Sequence, residues 1–368
     1  MPSVQVPVGQ TSVKVTVIDN GARAKGSWAF FLDPPLHTNQ HSSAPAYVFM
    51  IEHESSGSRV LFDLGIRKNY DEYPPFVREY HKKVAQFETG DEIFDILQSR
   101  GIDLSTVNHH HLDHTGNPTG FPPTTNLVVG PGFKETLLPG YPTNPDGLIL
   151  ESDYEGRELR ELDFEKESHG LRIGEFRAID FFGDGSFYLL ETPGHTIDHL
   201  AGFARTSVNP PRFIFMGGDI GHHASQWRPT DDVPLPDTLC PSPLGPDAQL
   251  NVLHNVCPGE IFVEHAHPER SRTSPFHRIK AGHPFDVDMA QATLKSMEAF
   301  DADDNILVVT AHDYTLIPYM QFWPETANDW HKIGCKEQSR WEFLKDFIDI
   351  VQAKVSVSAS ASIIKGQY

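Results

Sequence analysis

The stretch that decides the fold of this chain reads Asn108-His109-His110-His111-Leu112-Asp113-His114-Thr115-Gly116. Four histidines and one aspartate stand within the six residues from His109 to His114. Neutral imidazole and carboxylate groups are the preferred protein ligands of zinc and other borderline divalent cations. His109 and His111 share one side of an extended segment, whereas Asp113 and His114 turn toward a second point. The spacing therefore indicates two metal ions close together.

Three later segments place ligand-type residues at the ends of predicted strands. Thr192-Pro193-Gly194-His195-Thr196 follows an apolar stretch at 187–191, Gly217-Gly218-Asp219 follows 213–216, and Thr310-Ala311-His312 ends the stretch that begins at 306. Loops at strand ends can converge over a sheet, so His195, Asp219 and His312 are predicted to complete the site. The competing interpretation, unrelated surface and turn residues, does not account for the whole pattern.

These motifs, HHHLDHTG, TPGHT, GGD and TAHD, resemble those of the metallo-β-lactamase superfamily. Within it the chain is most similar to the branch that opens N-acyl homoserine lactones, and the resemblance covers residues 47–312. It implies an α+β fold, a four-layer αββα sandwich of two mixed sheets packed face to face with helices outside. Asp63, in LFDLG at 61–65, matches an early strand-turn aspartate that supports the metal loop in this family.

The resemblance also implies a ligand for each position around two divalent metal ions. The set is His109, His111 and His195 for the first ion; Asp113, His114 and His312 for the second; and Asp219 bridging both. Zinc is the expected ion, and iron or manganese are alternatives that the ligand types also admit. Two cations lower the pKa of a bridging water, so a hydroxide can attack a carbonyl. Asp113 can orient that nucleophile and carry a proton to the leaving group.

Two positions depart from the lactonase pattern. Lactonases commonly have a tyrosine three residues after the bridging aspartate, where it contacts the substrate carbonyl, and here that position is His222. A neutral imidazole can donate the same hydrogen bond, so His222 is predicted to be catalytic alongside Asp113; a solvent-exposed loop histidine is the alternative. The segment 102–108 leaves room for only a very short strand before the metal loop. If that strand is missing, the ligands are misdirected and activity is low.

Composition narrows the class of substrate and the compartment. The formal net charge is −20, and a field of this sign repels nucleic acids and anionic membranes. A small substrate, uncharged or hydrophobic, is therefore predicted. The three cysteines form no C-x-x-C pair, and no signal peptide or membrane-length apolar run is visible. A cytoplasmic location is expected, and the sequence does not indicate an oligomeric state.

The chain of 368 residues is predicted to form a single hydrolase domain over residues 1–355. Residues 228–246 are rich in proline and predict an extended insertion, either a lid or a surface loop. Residues 144–169 are predicted to be a surface excursion, and residues 356–368 a frayed tail. An aromatic cluster could wall a substrate pocket or pack in the core: Tyr70, Tyr73, Phe76, Tyr80 and Phe87.

The predicted function is dinuclear-metal-dependent opening of a cyclic ester or amide, a lactone or a lactam. Thioester hydrolysis of the glyoxalase II kind is an alternative, although Lys332, Lys336 and Arg340 show no clear glutathione-binding pattern. A metal-binding but catalytically silent scaffold, and iron-based oxidation, are alternatives from other classes. Turnover assays test the first of these two, and the identity of the bound metal tests the second.

Overall fold

The frame of the protein is a pair of six-stranded β-sheets, which the chain builds one after the other. The computed structural model describes residues 3–36, 42–83, 85–98, 105–107, 110–244 and 256–354. Within these residues, the strands of the first sheet lie side by side in chain order: β1 (Lys14–Ile18), β2 (Val48–His53), β3 (Ser58–Phe62), β4 (Ser105–Val107), β5 (Leu127–Val129) and β6 (Leu159–Glu161).

The second sheet repeats this sequential order. Its strands in the described part of the chain are β7 (Arg172–Ile173), β8 (Phe176–Asp180), β9 (Phe187–Glu191), β10 (Leu200–Val208), β11 (Pro211–Met216) and β12 (Ile306–Val309). Both sheets are mixed. The first is antiparallel from β1 to β3 and parallel from β3 to β6, whereas the second is antiparallel except for the β11–β12 pair.

Helices and smaller strands surround the two sheets. The helices are α1 (Pro75–His81), α2 (Ile93–Gln98), α3 (Leu112–Thr115), α4 (Phe133–Leu137), α5 (Glu151–Tyr154), α6 (Phe164–Glu167), α7 (Glu260–His265), α8 (Val287–Ala302) and α9 (Cys335–Ser339). Short 3-10 turns occur at Trp28–Phe30, Tyr70–Glu72, Pro118–Gly120, Ala224–Gln226, Tyr314–Leu316 and Glu342–Phe347. No helix among the described residues combines the length and apolar character needed to cross a bilayer.

Three small sheets lie beside this frame. A three-stranded one, called here the small sheet, has Arg23–Gly26 in the middle, between Ser42–Ala44 and Ala85–Glu88. Two further pairs join Leu32–Asp33 to Arg278–Ile279 and Thr238–Leu239 to Cys257–Pro258.

A shared apolar core joins the two large sheets face to face. Val15 and Val17 of β1 are buried in the same cluster as Phe187 and Leu189 of β9, as the alternation of side chains along a strand predicts. The opposite faces are covered by helices. Leu61 of β3 packs with α2, and the second sheet packs with α8. Helix α8 begins at a side-chain cap, where Asp286 accepts a hydrogen bond from the Met289 amide at 2.9 Å.

The structure confirms some of the predicted local elements and corrects others. The strand pair predicted at 46–51 and 59–64 is confirmed, because β2 pairs antiparallel with β3. A very short strand does precede the metal loop: β4 has three residues and lies parallel to β3 and β5. The surface excursion predicted at 144–169 was wrong in part, since β6 from this segment extends the first sheet. Strand β6 is short and carries charged residues, as edge strands often do, so the sequence pattern did not indicate a strand.

Some predictions fall on residues that the structure does not describe. His109 lies outside the described residues, as do positions 245–246 of the proline-rich segment and the tail at 356–368. The described part of the proline-rich segment, 228–244, is extended, with one short strand at Thr238–Leu239. It buries Leu235, Leu239 and Leu244 in the core beneath the second sheet.

Candidate metal centre

The candidate site lies at one edge of the two sheets, where several strands end together. Strands β3 and β4 are parallel, with Phe62 beside Val107, and β11 and β12 are parallel, with Met216 beside Val309. Strand β9 runs in the same direction as β11, because both are antiparallel to β10. The loops after these strands therefore meet at one edge. They carry the metal-loop motif and the motifs of His195, Asp219 and His312.

Asp219 lies at the centre of these loops, with each carboxylate oxygen facing different imidazoles. Its Oδ1 is 3.1 Å from His114 Nε2 and 3.1 Å from His312 Nε2. Its Oδ2 is 3.1 Å from His195 Nε2 and 3.3 Å from His222 Nε2. The side chain is 3% exposed, so these contacts are made away from bulk water. A carboxylate that faces imidazoles through both oxygens could hold a cation on either side.

The residues on the Oδ1 side, Asp113, His114 and His312, are called here the carboxylate-side group. Asp113 Oδ2 lies 3.3 Å from His312 Nε2. Each of the two histidines is oriented through its other nitrogen. His114 Nδ1 lies 2.9 Å from Asp63 Oδ2, and His312 Nδ1 donates to the Pro45 carbonyl at 2.6 Å. Such partners fix the ring orientation of metal-binding histidines.

These outer hydrogen bonds test whether a metal fits. In the neutral form of His114 and His312, Nδ1 carries the proton and the Nε2 lone pair faces a carboxylate oxygen. Lone pairs that face an anion at 3.1 Å require a proton or a cation between them. The donor set, two imidazoles and two carboxylates with ligand atoms within 4.8 Å, is one that zinc and its neighbours accept. The residues present therefore fit a divalent metal ion.

The residues on the Oδ2 side, His111 and His195, are called here the histidine-side group. His195 Nε2 lies 2.8 Å from His111 Nδ1, and both belong with Asp219 to a second cluster of potential ligands. The His195 loop packs against α8. Gly194 has φ of +130°, and a Cβ at this position would lie 2.3 Å from the Ala290 amide nitrogen. Glycine thus allows the close approach that holds His195 in place.

Two further histidines brace this edge of the sheets. The Asp219 amide donates to His199 Nε2 at 3.0 Å, which holds the bridging residue from behind. His110 Nδ1 lies 2.7 Å from Asp198 Oδ1, which ties the metal loop to the loop after β9. His199 and His110 therefore each have a specific supporting contact beside the proposed ligands.

The electrostatics differ between the two groups. Burial lowers the pKa of His312, but Asp219 and Asp113 outweigh it and raise the value to about 10. The pKa of His114 is likewise raised well above its usual range, because Asp219, Asp63 and Asp113 outweigh burial. The pKa of His111 moves the other way, well below its usual range, through burial and the neighbouring histidines. The carboxylate-side group thus attracts positive charge more strongly than the histidine-side group.

A cavity of about 760 Å³, including its open mouth, leads to these ligands. Its polar end contains His111, Asp113, Asp219, His222, His283 and His312. Its other walls are mainly apolar. They come from the small sheet, from Trp28 and Phe31, and from Tyr80 and Phe87. None of the lining residues belongs to the described part of the proline-rich segment, 228–244.

Curated relatives identify the group of proteins to which this chain belongs. A γ-lactamase from Fusarium pseudograminearum is 36% identical over all of this chain and 90% of its own length. A metallo-hydrolase from Annulohypoxylon moriforme is 38% identical over 94% of this chain and 90% of its own length. The chain belongs to the metallo-β-lactamase superfamily. It is a metal-dependent hydrolase, as predicted.

Solved structures agree on the fold of this superfamily. An N-acyl homoserine lactone hydrolase, solved with the product N-hexanoyl-L-homoserine at its catalytic metal centre, matches with a TM-score of 0.55. It is 16% identical, and the match covers 86% of this chain and 100% of that one. No family model matches the chain. The predicted superfamily is confirmed, and the predicted ligand assignment stays a prediction.

The structure brings together six of the seven predicted ligands of this superfamily member. They are His111, Asp113, His114, His195, Asp219 and His312, and only His109 lies outside the described residues. Asp63 contacts His114, as the resemblance implied. His222 is 5% exposed and stacks on Phe31 with ring centroids 4.3 Å apart, so the solvent-exposed alternative was wrong.

Some of the aromatic residues singled out in the sequence line the cavity, and others are buried in the core. Tyr80 and Phe87 line the cavity, whereas Tyr73 is buried and binds the Leu112 carbonyl through its hydroxyl at 2.6 Å. The sequence contains a second H-x-H pair, His265 and His267, and neither residue belongs to the potential metal-binding clusters among the described residues. The sequence analysis missed His283, which lines the polar end of the cavity within reach of His195 and His222. Its local sequence, Gly282-His283-Pro284, contains no second ligand-type residue that could have drawn attention to it.

Proposed function

We propose that this chain is a dinuclear-metal-dependent hydrolase that opens a cyclic ester or amide. The observation that carries the proposal is the position of Asp219, whose two oxygens face separate sets of imidazoles at 3.1 to 3.3 Å. A carboxylate in this position can hold two cations side by side. The relatives named γ-lactamase and the lactonase of the same fold support a ring-opening reaction.

The proposed ions are two divalent cations, with zinc as the expected metal. The proposed ligands are His109, His111 and His195 for one ion; Asp113, His114 and His312 for the other; and Asp219 for both. When bound, the metal ions polarise the substrate carbonyl and make a hydroxide nucleophile available near neutral pH.

The side chains around this centre have separate proposed roles. Neighbouring His114 and His312 outweigh burial and hold the pKa of Asp113 below its usual range, so its carboxylate is ionised and can accept a hydrogen bond from a proton of the nucleophile. Asp113 is therefore proposed to orient the nucleophile and to pass that proton to the leaving group. Burial lowers the pKa of His222 to about 4, so the ring is neutral and has one N–H. This N–H is proposed to donate to the substrate carbonyl in place of Asp219 Oδ2, which lies 3.3 Å from His222 Nε2.

The cavity favours a small, uncharged substrate. Trp28, Phe31 and Phe87 present aromatic surface close to the polar end, which excludes water and strengthens electrostatic interactions there. The glyoxalase II alternative finds no support in Lys336. This residue is 2% exposed, and its ammonium group donates to the Asp303 and Ile306 carbonyls at 2.6 Å, so it is not available to hold a glutathione carboxylate.

The proposal extends to the organisation of the chain. We propose one domain over residues 1–355, with helices on the outer faces of both sheets as a four-layer αββα sandwich and with residues 228–246 as an insertion. The packing of α2 on the first sheet and of α8 on the second supports this layering. A cytoplasmic location and a frayed tail at 356–368 stay predictions.

The test is metal content per chain, measured together with hydrolysis of a lactone, a lactam and a thioester. Wild-type protein is expected to hold about two metal ions and to open at least one of the ring substrates. Asp219→Ala is expected to lose metal and hydrolysis together. Asp146→Ala removes an exposed carboxylate from a distant turn and serves as the matched control. A folded wild-type protein with two metal ions and no turnover of any panel member would contradict the proposal.

A further inference from the structure

His283 has the features of a substrate-binding residue that the ligand set does not use. It lies in the loop before α8 and lines the polar end of the cavity beside His222, with ring centroids 5.4 Å apart. Its ring is held by aromatic neighbours. Phe30 and Phe31 meet it edge to face, with centroids 4.9 Å and 4.8 Å away.

The Nδ1 atom of His283 is buried and has no hydrogen-bond partner among the described residues. An unpaired buried polar atom costs free energy, and most such atoms in native proteins find a partner. Ring contacts fix the imidazole without using Nδ1, so this atom remains for a group that enters the cavity. The same cavity receives the substrate in the proposed function.

We propose that His283 determines specificity by accepting a hydrogen bond from the ring N–H of a cyclic amide while His222 donates to the carbonyl oxygen. This inference rests on the proposed function. A neutral imidazole has one donor and one acceptor, so two of them can match the adjacent C=O and N–H of a lactam. A nitrogen of His222 and a nitrogen of His283 lie within 4.8 Å of each other, a distance that brackets one amide edge.

A cyclic ester has an oxygen where the lactam has its N–H. It cannot donate to His283, so the buried nitrogen stays unpaired when a lactone occupies the site. Sites that are built to bind an N–H reject the analogue that lacks it for this reason. The arrangement therefore favours the amide over the ester of the same ring.

A third cation held by His195, His222 and His283 is the competing interpretation, since their nitrogens converge within 4.8 Å. His195 Nε2, however, already lies 2.8 Å from His111 Nδ1 and 3.1 Å from Asp219 Oδ2. It is thus committed to the histidine-side group. His222 Nε2 also faces Asp219 Oδ2, at 3.3 Å, so the only carboxylate seen beside these two imidazoles is one that the histidine-side group already uses. Two imidazoles that share such a carboxylate make a weak metal site, whereas their nitrogens can pair with an amide.

The experiment compares zinc-loaded wild type, His283→Phe and the control His265→Phe. Phenylalanine keeps the edge-to-face packing against Phe30 and Phe31 and removes both nitrogens. Binding of γ-butyrolactam and γ-butyrolactone, which share ring size and shape, is measured by ligand-observed NMR, and zinc per chain by elemental analysis. Binding is read without turnover, so the result does not depend on whether the protein hydrolyses either ring.

His283→Phe is expected to raise the Kd of the lactam about tenfold, the effect of one hydrogen bond, and to leave the lactone and the zinc content unchanged. His265→Phe is expected to match wild type for both rings. Equal losses for both rings, or no loss for the lactam, would overturn the inference. A loss of zinc would instead identify His283 as a metal ligand. A wild-type protein that shows no preference for the lactam would also contradict it.

Discussion

The two groups on either side of Asp219 are built differently. In the carboxylate-side group, both histidines are locked by hydrogen bonds from Nδ1, one to Asp63 and one to the Pro45 carbonyl. In the histidine-side group, His195 depends on the packing of Gly194 against α8. The first group is braced by polar contacts, and the second by close packing and by the histidines at the polar end of the cavity.

The histidines of the two groups also differ in their position relative to the cavity. His114 is fully buried and directs its ring between two carboxylates, so it has little room to contact a substrate. Asp113 and His312 of the same group do line the cavity, and on the histidine side His195 borders His222 and His283, which line it as well. We therefore expect loss of His114 to alter metal binding first, and changes at His195 to alter substrate binding through His222 and His283 as well.

The largest effect is expected from removing one ligand on each side. His114→Ala and His195→Ala should each lose one metal ion and reduce kcat/KM by roughly 1000-fold, several kcal/mol of transition-state stabilisation. Metal content and steady-state kinetics check this. If either variant lost both ions, the two groups would form one cooperative site, and the comparison between them would fail.

A smaller effect is expected from the brace behind His114. Asp63→Asn keeps a residue that tolerates the φ of +63° at this position but replaces the carboxylate that orients His114 Nδ1. Loss of such a partner weakens metal binding by about 10- to 100-fold. Competition with a chelator should show this loss for one ion only. Equal weakening of both ions would indicate that the two sides share their bracing.

A packing change tests the histidine side in the same way. Gly194→Ala would place a Cβ 2.3 Å from the Ala290 amide nitrogen, at a φ of +130° that side chains rarely adopt. We expect the free energy of unfolding to fall by about 1–3 kcal/mol, with the histidine-side ion lost more easily. Urea unfolding and metal titration measure the two effects. Wild-type stability in this variant would mean that the α8 contact does not hold the His195 loop.

The last prediction concerns the loss of folding stability at acidic pH. Burial, followed by His223 and His267, lowers the pKa of His277 to about 3. The unfolded chain, with a histidine pKa of about 6.5, binds more protons than the folded chain between these values. Stability is therefore lost as the pH falls from about 6.5 toward about 3, by at most about 1.4 kcal/mol per pH unit.

His277 contacts Ser225, which also contacts His223, the residue after His222. Protonation of His277 at acidic pH should therefore disturb the segment that carries His222 and His223. His277→Phe keeps the ring stacked near Phe347 and should make the decline of stability with acid less steep. Urea unfolding at several pH values gives this slope, and an unchanged slope would exclude His277 as its source.

The sequence alone was sufficient to select the six proposed ligands that the described structure brings together, because each belongs to a local pattern. Asp113 and His114 stand in one dense motif, and Asp219 and His312 each end an apolar strand. Local chain order determines which residues end a strand, and parallel pairing brings those ends together. The very short β4 was also anticipated as one of two possibilities.

The cavity could not be predicted in the same way. His283 reaches the site only because α8 begins against the His195 loop, where the Phe285 amide donates to the His195 carbonyl at 2.9 Å. Trp28 and Phe31 lie more than 75 positions before the metal loop in the printed chain, and no spacing connects them to it. These contacts depend on tertiary packing, for which periodicity carries no signal.

The small sheet shapes the cavity, whereas other parts of the chain carry the proposed metal ligands, and this separation bears on how the protein can evolve. Its strands Arg23–Gly26 and Ala85–Glu88 form part of the cavity wall but contribute none of the proposed metal ligands. Mutations there can reshape the volume offered to a substrate while the chemistry at the centre is inherited unchanged. Evolution can therefore vary which molecules fit the cavity through changes in one peripheral sheet, while the residues proposed to hold the metal ions stay the same.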